Sequence, residues 1–106
     1  MAVSLLIVPQ NCAISVITQI ELFCSNSISN EEYTQLKKFV SVARIYNNID
    51  EAIVNHTINI RKMHRIKTPD AIIAATALAY SLTLISRNTK DFENINGLQV
   101  INPHNL

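Results

Sequence analysis

Nine residues in the second half of this 106-residue chain, Lys67–Ala75 (KTPDAIIAA), give the clearest indication of its architecture. Thr68 followed by Pro69 is a strong signal for the start of a helix, with the threonine as N-cap and the proline at the first helical position. The predicted helix, Pro69–Ser81, is rich in alanine and apolar on nearly every side. A helix of this kind is expected to be deeply buried in a core.

Short segments rich in β-branched residues are predicted as strands on both sides of this helix. They are Cys12–Ile17, Val42–Tyr46, Thr83–Ser86 and, after the turn at Asn96-Gly97, Leu98–Ile101. Because helices separate the strands, crossover connections and a mostly parallel sheet are expected. The sequence therefore predicts a single three-layer α/β domain over residues 1–106, with helices on both faces of the sheet.

The other helices are predicted from their N-terminal caps. Thr18 is expected to cap a helix that runs to about Ser25, and Asp50 to cap another. Ser29 and Glu32 have the Ser-x-x-Glu spacing of a capping box. The helix that they open carries an apolar face, and the Asp50 helix carries a mixed face with one histidine. These faces comprise Tyr33, Leu36, Phe39 and Val40 in the first helix, and Ile53, Thr57, Ile60 and His64 in the second.

Composition excludes several classes of protein. The chain is 48% hydrophobic, which is typical of a globular domain and not of a disordered tail. Its net charge of +1 provides no global attraction for nucleic acid or membrane, so such binding requires a local patch. The single glycine, Gly97, excludes a P-loop and a dinucleotide-binding turn. Cys12 and Cys24 are typical of thiols in a reducing compartment, and without a signal peptide or membrane span we expect a cytoplasmic protein.

Acidic residues lie where a parallel sheet places its ligands, beyond the carboxyl ends of the strands. Glu21 follows the first strand, Asp70 lies in the first turn of the buried helix, and Asn88 and Asp91 follow the strand Thr83–Ser86. Oxygen ligands of this kind suit Mg²⁺ or Mn²⁺. Each acid also has a plain structural interpretation: Glu21 as a solvated helix residue, Asp70 as a partner of the helix dipole and Asp91 as a turn residue.

Basic residues precede Asp70. Four of the nine fall within seven positions, and we interpret them either as a solvated helix face or as a strip that contacts phosphate. Arg87 would extend that strip, which comprises Arg61, Lys62, Arg65 and Lys67. His56 and His64 are separated by about 12 Å on one helix, which is too far for a shared metal. We expect them to be surface or half-buried residues.

Three segments stand in a characteristic order and spacing: Ile17–Leu22 (ITQIEL), Lys67–Ala75 (KTPDAIIAA) and Leu84–Phe92 (LISRNTKDF), followed by GLQVI at Gly97–Ile101. Together they resemble PIN domains, and most closely the VapC-type toxins of bacterial toxin–antitoxin modules. The resemblance extends over Cys12–Ile101, most of the chain.

The resemblance implies a ribonuclease that depends on Mg²⁺ or Mn²⁺. The family site has four acids, of which Glu21, Asp70 and Asp91 match the second, third and fourth, while Asn88 matches a nearby polar position. These carboxylates would be the metal-binding and catalytic groups. Arg87 and the basic strip would hold the RNA backbone. An antitoxin is the implied protein partner, and a homodimer is the expected assembly.

The first acid of the family has no counterpart here, because Pro9-Gln10-Asn11 follows the strand-like Leu5–Val8. We interpret Met1–Asn11 as the end of a helix and a turn, which leaves the domain incomplete at its N-terminus. The alternative is that Ala2–Val8 is itself a first strand that has lost the acid. A truncated gene model, an inactive remnant and a domain that borrows a strand from a partner would each explain the departure.

Three functions follow as hypotheses. The first is a metal-dependent endoribonuclease of the PIN type. The second is a non-catalytic module that keeps the fold and binds an antitoxin. The third is a small regulatory α/β domain whose acids are structural and therefore dispersed.

Overall fold

The computed structural model describes residues 5–8, 11–24, 28–42, 44–46, 48–86 and 89–102. Its elements, in chain order, are β1 (Leu5–Val8), β2 (Asn11–Ser15), α1 (Val16–Phe23), α2 (Asn30–Val42), β3 (Arg44–Tyr46), α3 (Glu51–Met63), α4 (Thr68–Tyr80), β4 (Thr83–Ile85) and β5 (Val100–Ile101). Among these helices none is both long enough and apolar enough to cross a membrane.

The five strands form one sheet in the order β3-β2-β1-β4-β5. The outer pairs, β2 with β3 and β4 with β5, are parallel. The central strand β1 is antiparallel to both of its neighbours, with Leu6 opposite Ala13 on one side and Leu84 on the other. All strands except β1 therefore run in one direction, which confirms the α/β fold with a mostly parallel sheet.

The N-terminal segment differs from our first interpretation. Leu5–Val8 is a strand and not the end of a helix, so that part of the interpretation of Met1–Asn11 is wrong. The physical reason is that the apolar run pairs with β2 and β4 at once and satisfies the backbone groups of both. The alternative interpretation, with a strand in this segment, is confirmed for Leu5–Val8.

Two helix starts differ from the prediction by one to three residues. The cap of α1 is Ser15, whose hydroxyl accepts a hydrogen bond of 3.0 Å from the Ile17 N–H, so β2 ends earlier than predicted and Thr18 is not the cap. Helix α4 begins at Thr68 with Lys67 as its N-cap residue. The Thr68 hydroxyl instead accepts a 2.7 Å hydrogen bond from the Arg61 guanidinium.

Other local predictions are confirmed. The Ser29 hydroxyl accepts from the Glu32 N–H at 3.1 Å, and the Glu32 carboxylate accepts from the Ser29 N–H at 3.3 Å, which completes the capping box. The Asp50 carboxylate accepts from the Ile53 N–H at 2.9 Å and caps α3. The same carboxylate accepts a hydrogen bond from the Tyr80 hydroxyl, which joins the start of α3 to the end of α4.

The core is built around α4, as its composition predicts. Six of its residues are buried, and the helix packs against α3, α1 and β4. The remaining core side chains come from α3, the α3–α4 connection, β4 and the segment before β5. They include Ile53, Ile60, Ile66, Leu82, Leu84, Phe92 and Ile95. Burial of this apolar surface fixes where the two ends of α4 lie.

The C-terminal end of α4 contains a strained residue. Ser81 has φ 56° and ψ 44°, which is the left-handed conformation, and the Leu82 N–H closes the turn on the Ala77 carbonyl at 2.8 Å. Glycine is the residue that adopts this backbone conformation without a steric penalty.

We therefore expect Ser81→Gly to stabilise the protein by about 0.5–1 kcal/mol, since the removal of Cβ strain outweighs the greater freedom of glycine in the unfolded chain. Thermal unfolding should show an increase in Tm. The matched control is Ser41→Gly in α2, where the backbone is helical and glycine should lower Tm. A lower Tm for Ser81→Gly would show that the serine side chain stabilises this turn.

Candidate metal and phosphate site

Asp70 is placed by the most buried helix of the fold. It is the third residue of α4, and the helix continues into residues that are buried on nearly every side. Its side chain is half-buried, and burial is the main cause that raises the pKa of this carboxyl above its ordinary value of 3.8. The charge of Asp91 raises the pKa further, whereas the charge of Lys67 lowers it. The pKa of Asp70 is therefore shifted by the charges of one acid and one base.

Glu21 and Asp91 approach Asp70 from two other parts of the chain. Glu21 lies in α1, directly after β2, and burial is again the first cause of its raised pKa, with the charge of Asp70 second. Asp91 is exposed and lies in the turn that follows β4, where the Thr89 carbonyl accepts hydrogen bonds from the N–H groups of Phe92 and Glu93. The three predicted acids thus interact electrostatically in the order Glu21, Asp70, Asp91.

This arrangement fits a divalent cation in its chemistry but is not a closed metal cage. Across the part of the chain that the structure describes, no three His, Cys, Asp or Glu side chains are placed to hold one ion. Mg²⁺ does not require such a cage, because it keeps several waters and is commonly held by one or two carboxylates and by substrate phosphate.

Two buried serines lie at the carboxyl ends of β2 and β4. Ser15 ends β2 and is 1% exposed, while Ser86 directly follows β4 and is 0% exposed. The Ser86 N–H donates to the Ile101 carbonyl at 3.0 Å. Sequence reasoning missed both as residues that shape the site, and also missed the buried Thr18. A polar residue directly after a buried strand is the signal that would have identified the serines.

The basic strip lies at the α3–α4 connection. The Arg61 guanidinium donates to the Ile66 carbonyl at 3.1 Å as well as to Thr68, so it braces this connection. Lys67 is exposed and close enough to affect the Asp70 carboxylate. The side chains of Lys62 and Arg65 are exposed. Two further predicted site residues, Arg87 and Asn88, lie outside the described residues.

The remaining predicted features are simpler. His56 and His64 are half-buried, as expected, and both belong to the α3 region. Cys24 is an exposed free thiol. The side chain of Cys12 lies outside what the structure describes.

Fold and site together define an α/β domain with coupled carboxylates beside the carboxyl edge of its parallel strands. The family model of the PIN domain matches residues 2–98. The chain belongs to the PIN domain family.

Solved structures agree with this assignment. A toxin–antitoxin complex from Klebsiella pneumoniae contains a chain with 37% identity and a TM-score of 0.70, and the match covers 86% of this chain and 72% of that one. VapBC2 from Rickettsia felis, bound to a promoter DNA fragment, has 26% identity and a TM-score of 0.69 over 85% and 73% of the two chains. DNA-bound VapBC from Salmonella typhimurium has 26% identity and a TM-score of 0.70 over 84% and 73%. No curated protein matches the chain significantly.

Replacement of the Asp70 carboxylate by a neutral amide should stabilise the metal-free protein. The folded-state pKa of Asp70 is raised, so its contribution to stability is present below its ordinary pKa of 3.8 and is lost as pH rises through the folded value. In EDTA at neutral pH, Asp70→Asn should therefore have a higher Tm than the wild type, and this difference should vanish in acid.

Glu93→Gln, an exposed carboxylate in the same turn as Asp91, is the control for that measurement and should change Tm little at either pH. A lower Tm of Asp70→Asn at neutral pH would mean that the carboxylate serves mainly to stabilise the helix N-terminus.

Proposed function

We propose that the chain is a VapC-type ribonuclease that hydrolyses RNA phosphodiester bonds with Mg²⁺ or Mn²⁺. Glu21, Asp70 and Asp91 are the catalytic and metal-binding residues of this proposal. The observation that supports it is the membership of the PIN domain family, together with the effect of the Asp70 charge on the pKa of Glu21 and of the Asp91 charge on the pKa of Asp70. Negative charges that lie close together are stabilised by a divalent cation.

Asp70 and Lys67 have separate parts in the proposed reaction. Asp70 is the central ligand, because its charge acts on Glu21 and is acted on by Asp91. When bound, the ion supplies a water of lowered pKa and stabilises the charge that develops on the phosphate. Lys67, beside Asp70, holds the phosphate next to the acids. The remaining predicted contacts to the RNA backbone are Arg61, Lys62, Arg65 and Arg87, with Asn88 in support.

The proposed protein partner is an antitoxin. Support comes from the solved relatives, which are a toxin–antitoxin complex and two VapBC complexes. An antitoxin that covers the acids would keep the ribonuclease inactive in the cytoplasm, where we place both proteins. A homodimer remains the assembly that the resemblance predicts.

A second function is favoured by a specific observation. The described acids form no group of three around one point, and Pro9 follows β1 where the family has an acid. A chain of this kind could keep the fold and the antitoxin surface without catalysis. It would then be an antitoxin-binding module.

One experiment separates the two functions. The purified chain is incubated with a fluorescent unstructured RNA and either Mg²⁺ or Mn²⁺, and cleavage is followed on a gel. We expect Asp70→Asn to lower the rate by at least about 10- to 100-fold, the loss that even indirect partners of a metal cause. Glu93→Gln is the matched control and should cleave like the wild type. Circular dichroism checks that both variants are folded.

Two outcomes would contradict the ribonuclease. Equal cleavage by Asp70→Asn and the wild type would assign the activity to another site or to a contaminating nuclease. Absence of cleavage by the wild type, together with tight binding to its antitoxin, would identify the non-catalytic module.

A further inference from the structure

A cavity of about 210 Å³ lies between α3, α4 and the segment before β5. Ile60 and Ile95, each 5% exposed, form its apolar floor together with Leu78. The surface of the cavity is mostly apolar and includes the thioether of Met63, which is 79% exposed. Five polar side chains also line it. They are His56, Asn59, His64, Asn94 and Asn96.

The lining indicates the kind of molecule that fits. It contains no Asp, Glu, Lys or Arg, so it offers no counter-charge to a phosphate, a carboxylate or a cation. Three carboxamides and two imidazoles provide both donors and acceptors around an apolar floor. Within the described part of the chain, the three carboxamides, those of Asn59, Asn94 and Asn96, form no hydrogen bond to another residue. They are therefore available to a ligand.

The volume of the cavity limits which ligands fit. Pockets for drug-sized ligands have volumes of about 300–1,000 Å³, so this cavity suits a single planar ring system. A heterocycle with several donors and acceptors at its edge and an apolar face matches both the polar side chains and the apolar floor. An exposed thioether such as Met63 packs favourably at the edge of such a ring. An unpaired nucleobase has all of these properties.

The cavity adjoins the two segments that carry the acids. Asn94 is three residues after Asp91 in the same turn, and residues at this spacing in a helical turn lie on the same side. His64 ends α3 and is three residues before Lys67, whose charge acts on Asp70. Along α4, the cavity residue Leu78 lies eight residues, or about 12 Å, from Asp70, so a base in the cavity would belong to a nucleotide near the one whose phosphate lies at the acids.

We propose that this cavity binds an unpaired base of the RNA next to the cleaved phosphodiester and so sets the sequence preference of the enzyme. The inference rests on the proposed ribonuclease function. Carboxamide hydrogen bonds to the base edge give the selectivity, because a wrong base leaves these groups unpaired. The acids and the basic strip contact only the backbone, which is the same for every sequence.

RNA binding without catalysis tests the proposal. A fluorescein-labelled decamer that contains all four bases is compared with an abasic decamer of the same length, by fluorescence anisotropy in EDTA. The wild type should bind the base-containing RNA more tightly. Asn59→Ala and Asn94→Ala should each weaken this binding by about fivefold, the effect of one hydrogen bond, and leave abasic binding unchanged. The control is Asn55→Ala, an exposed asparagine of α3 outside the cavity.

The outcomes separate this inference from the ribonuclease. Equal binding by Asn59→Ala, Asn94→Ala and Asn55→Ala overturns the base site, and it leaves the ribonuclease standing if the wild type cleaves RNA. Weaker binding of the base-containing RNA by Asn59→Ala and Asn94→Ala, with a wild type that does not cleave RNA, supports the base site alone. Unchanged RNA binding with altered self-association in sedimentation would make the cavity a protein contact and overturn the proposal.

Discussion

Burial of α4 is the constraint on which the rest of the structure depends. Six residues of this helix are buried, between α3 on one side and α1 and β4 on others, so the helix has little freedom to shift. Asp70 is therefore fixed in a half-buried position, where the charge of Asp91 acts on it and its own charge acts on Glu21. The packing of an apolar helix thus determines the electrostatic environment of Asp70.

The consequence is that the charged forms of Glu21 and Asp70 are destabilised. Burial and like charge both raise the pKa values of Glu21 and Asp70, and only Lys67 opposes the shift at Asp70. Since the whole chain has a net charge of only +1, no general field attracts RNA. In our proposal, RNA binding comes from local groups: the acids with a cation, the strip at the α3–α4 connection and the neutral cavity.

Local signals explain what could be predicted from the sequence. The Ser29–Glu32 capping box, the Asp50 cap and the alanine-rich α4 depend on residues close in sequence, and all three were predicted correctly. The acids were proposed as ligands because parallel sheets place ligands beyond the carboxyl ends of their strands. Only the comparison with PIN domains made a nuclease the leading interpretation.

Non-local pairing explains what could not be predicted. The position of β1 depends on two distant partners, β2 and β4, and its four-residue apolar sequence also suits the end of a helix. Arg61 looked like a surface cation, but its partners are a carbonyl and a hydroxyl in the next connection. The cavity joins α3, α4 and residues 94–96, and no single stretch of sequence contains its pattern.

Paramagnetic broadening by Mn²⁺ tests the central claim most directly. The claim is that Glu21, Asp70 and Asp91 together attract one divalent cation. In a titration of ¹⁵N-labelled protein with substoichiometric Mn²⁺, the amide signals of these three residues should broaden first. Signals of Glu31, Glu32 and Asp50 should remain sharp, because these acids lie on α2 and at the start of α3. Broadening at those control acids, or equal broadening of all acids, would contradict the account.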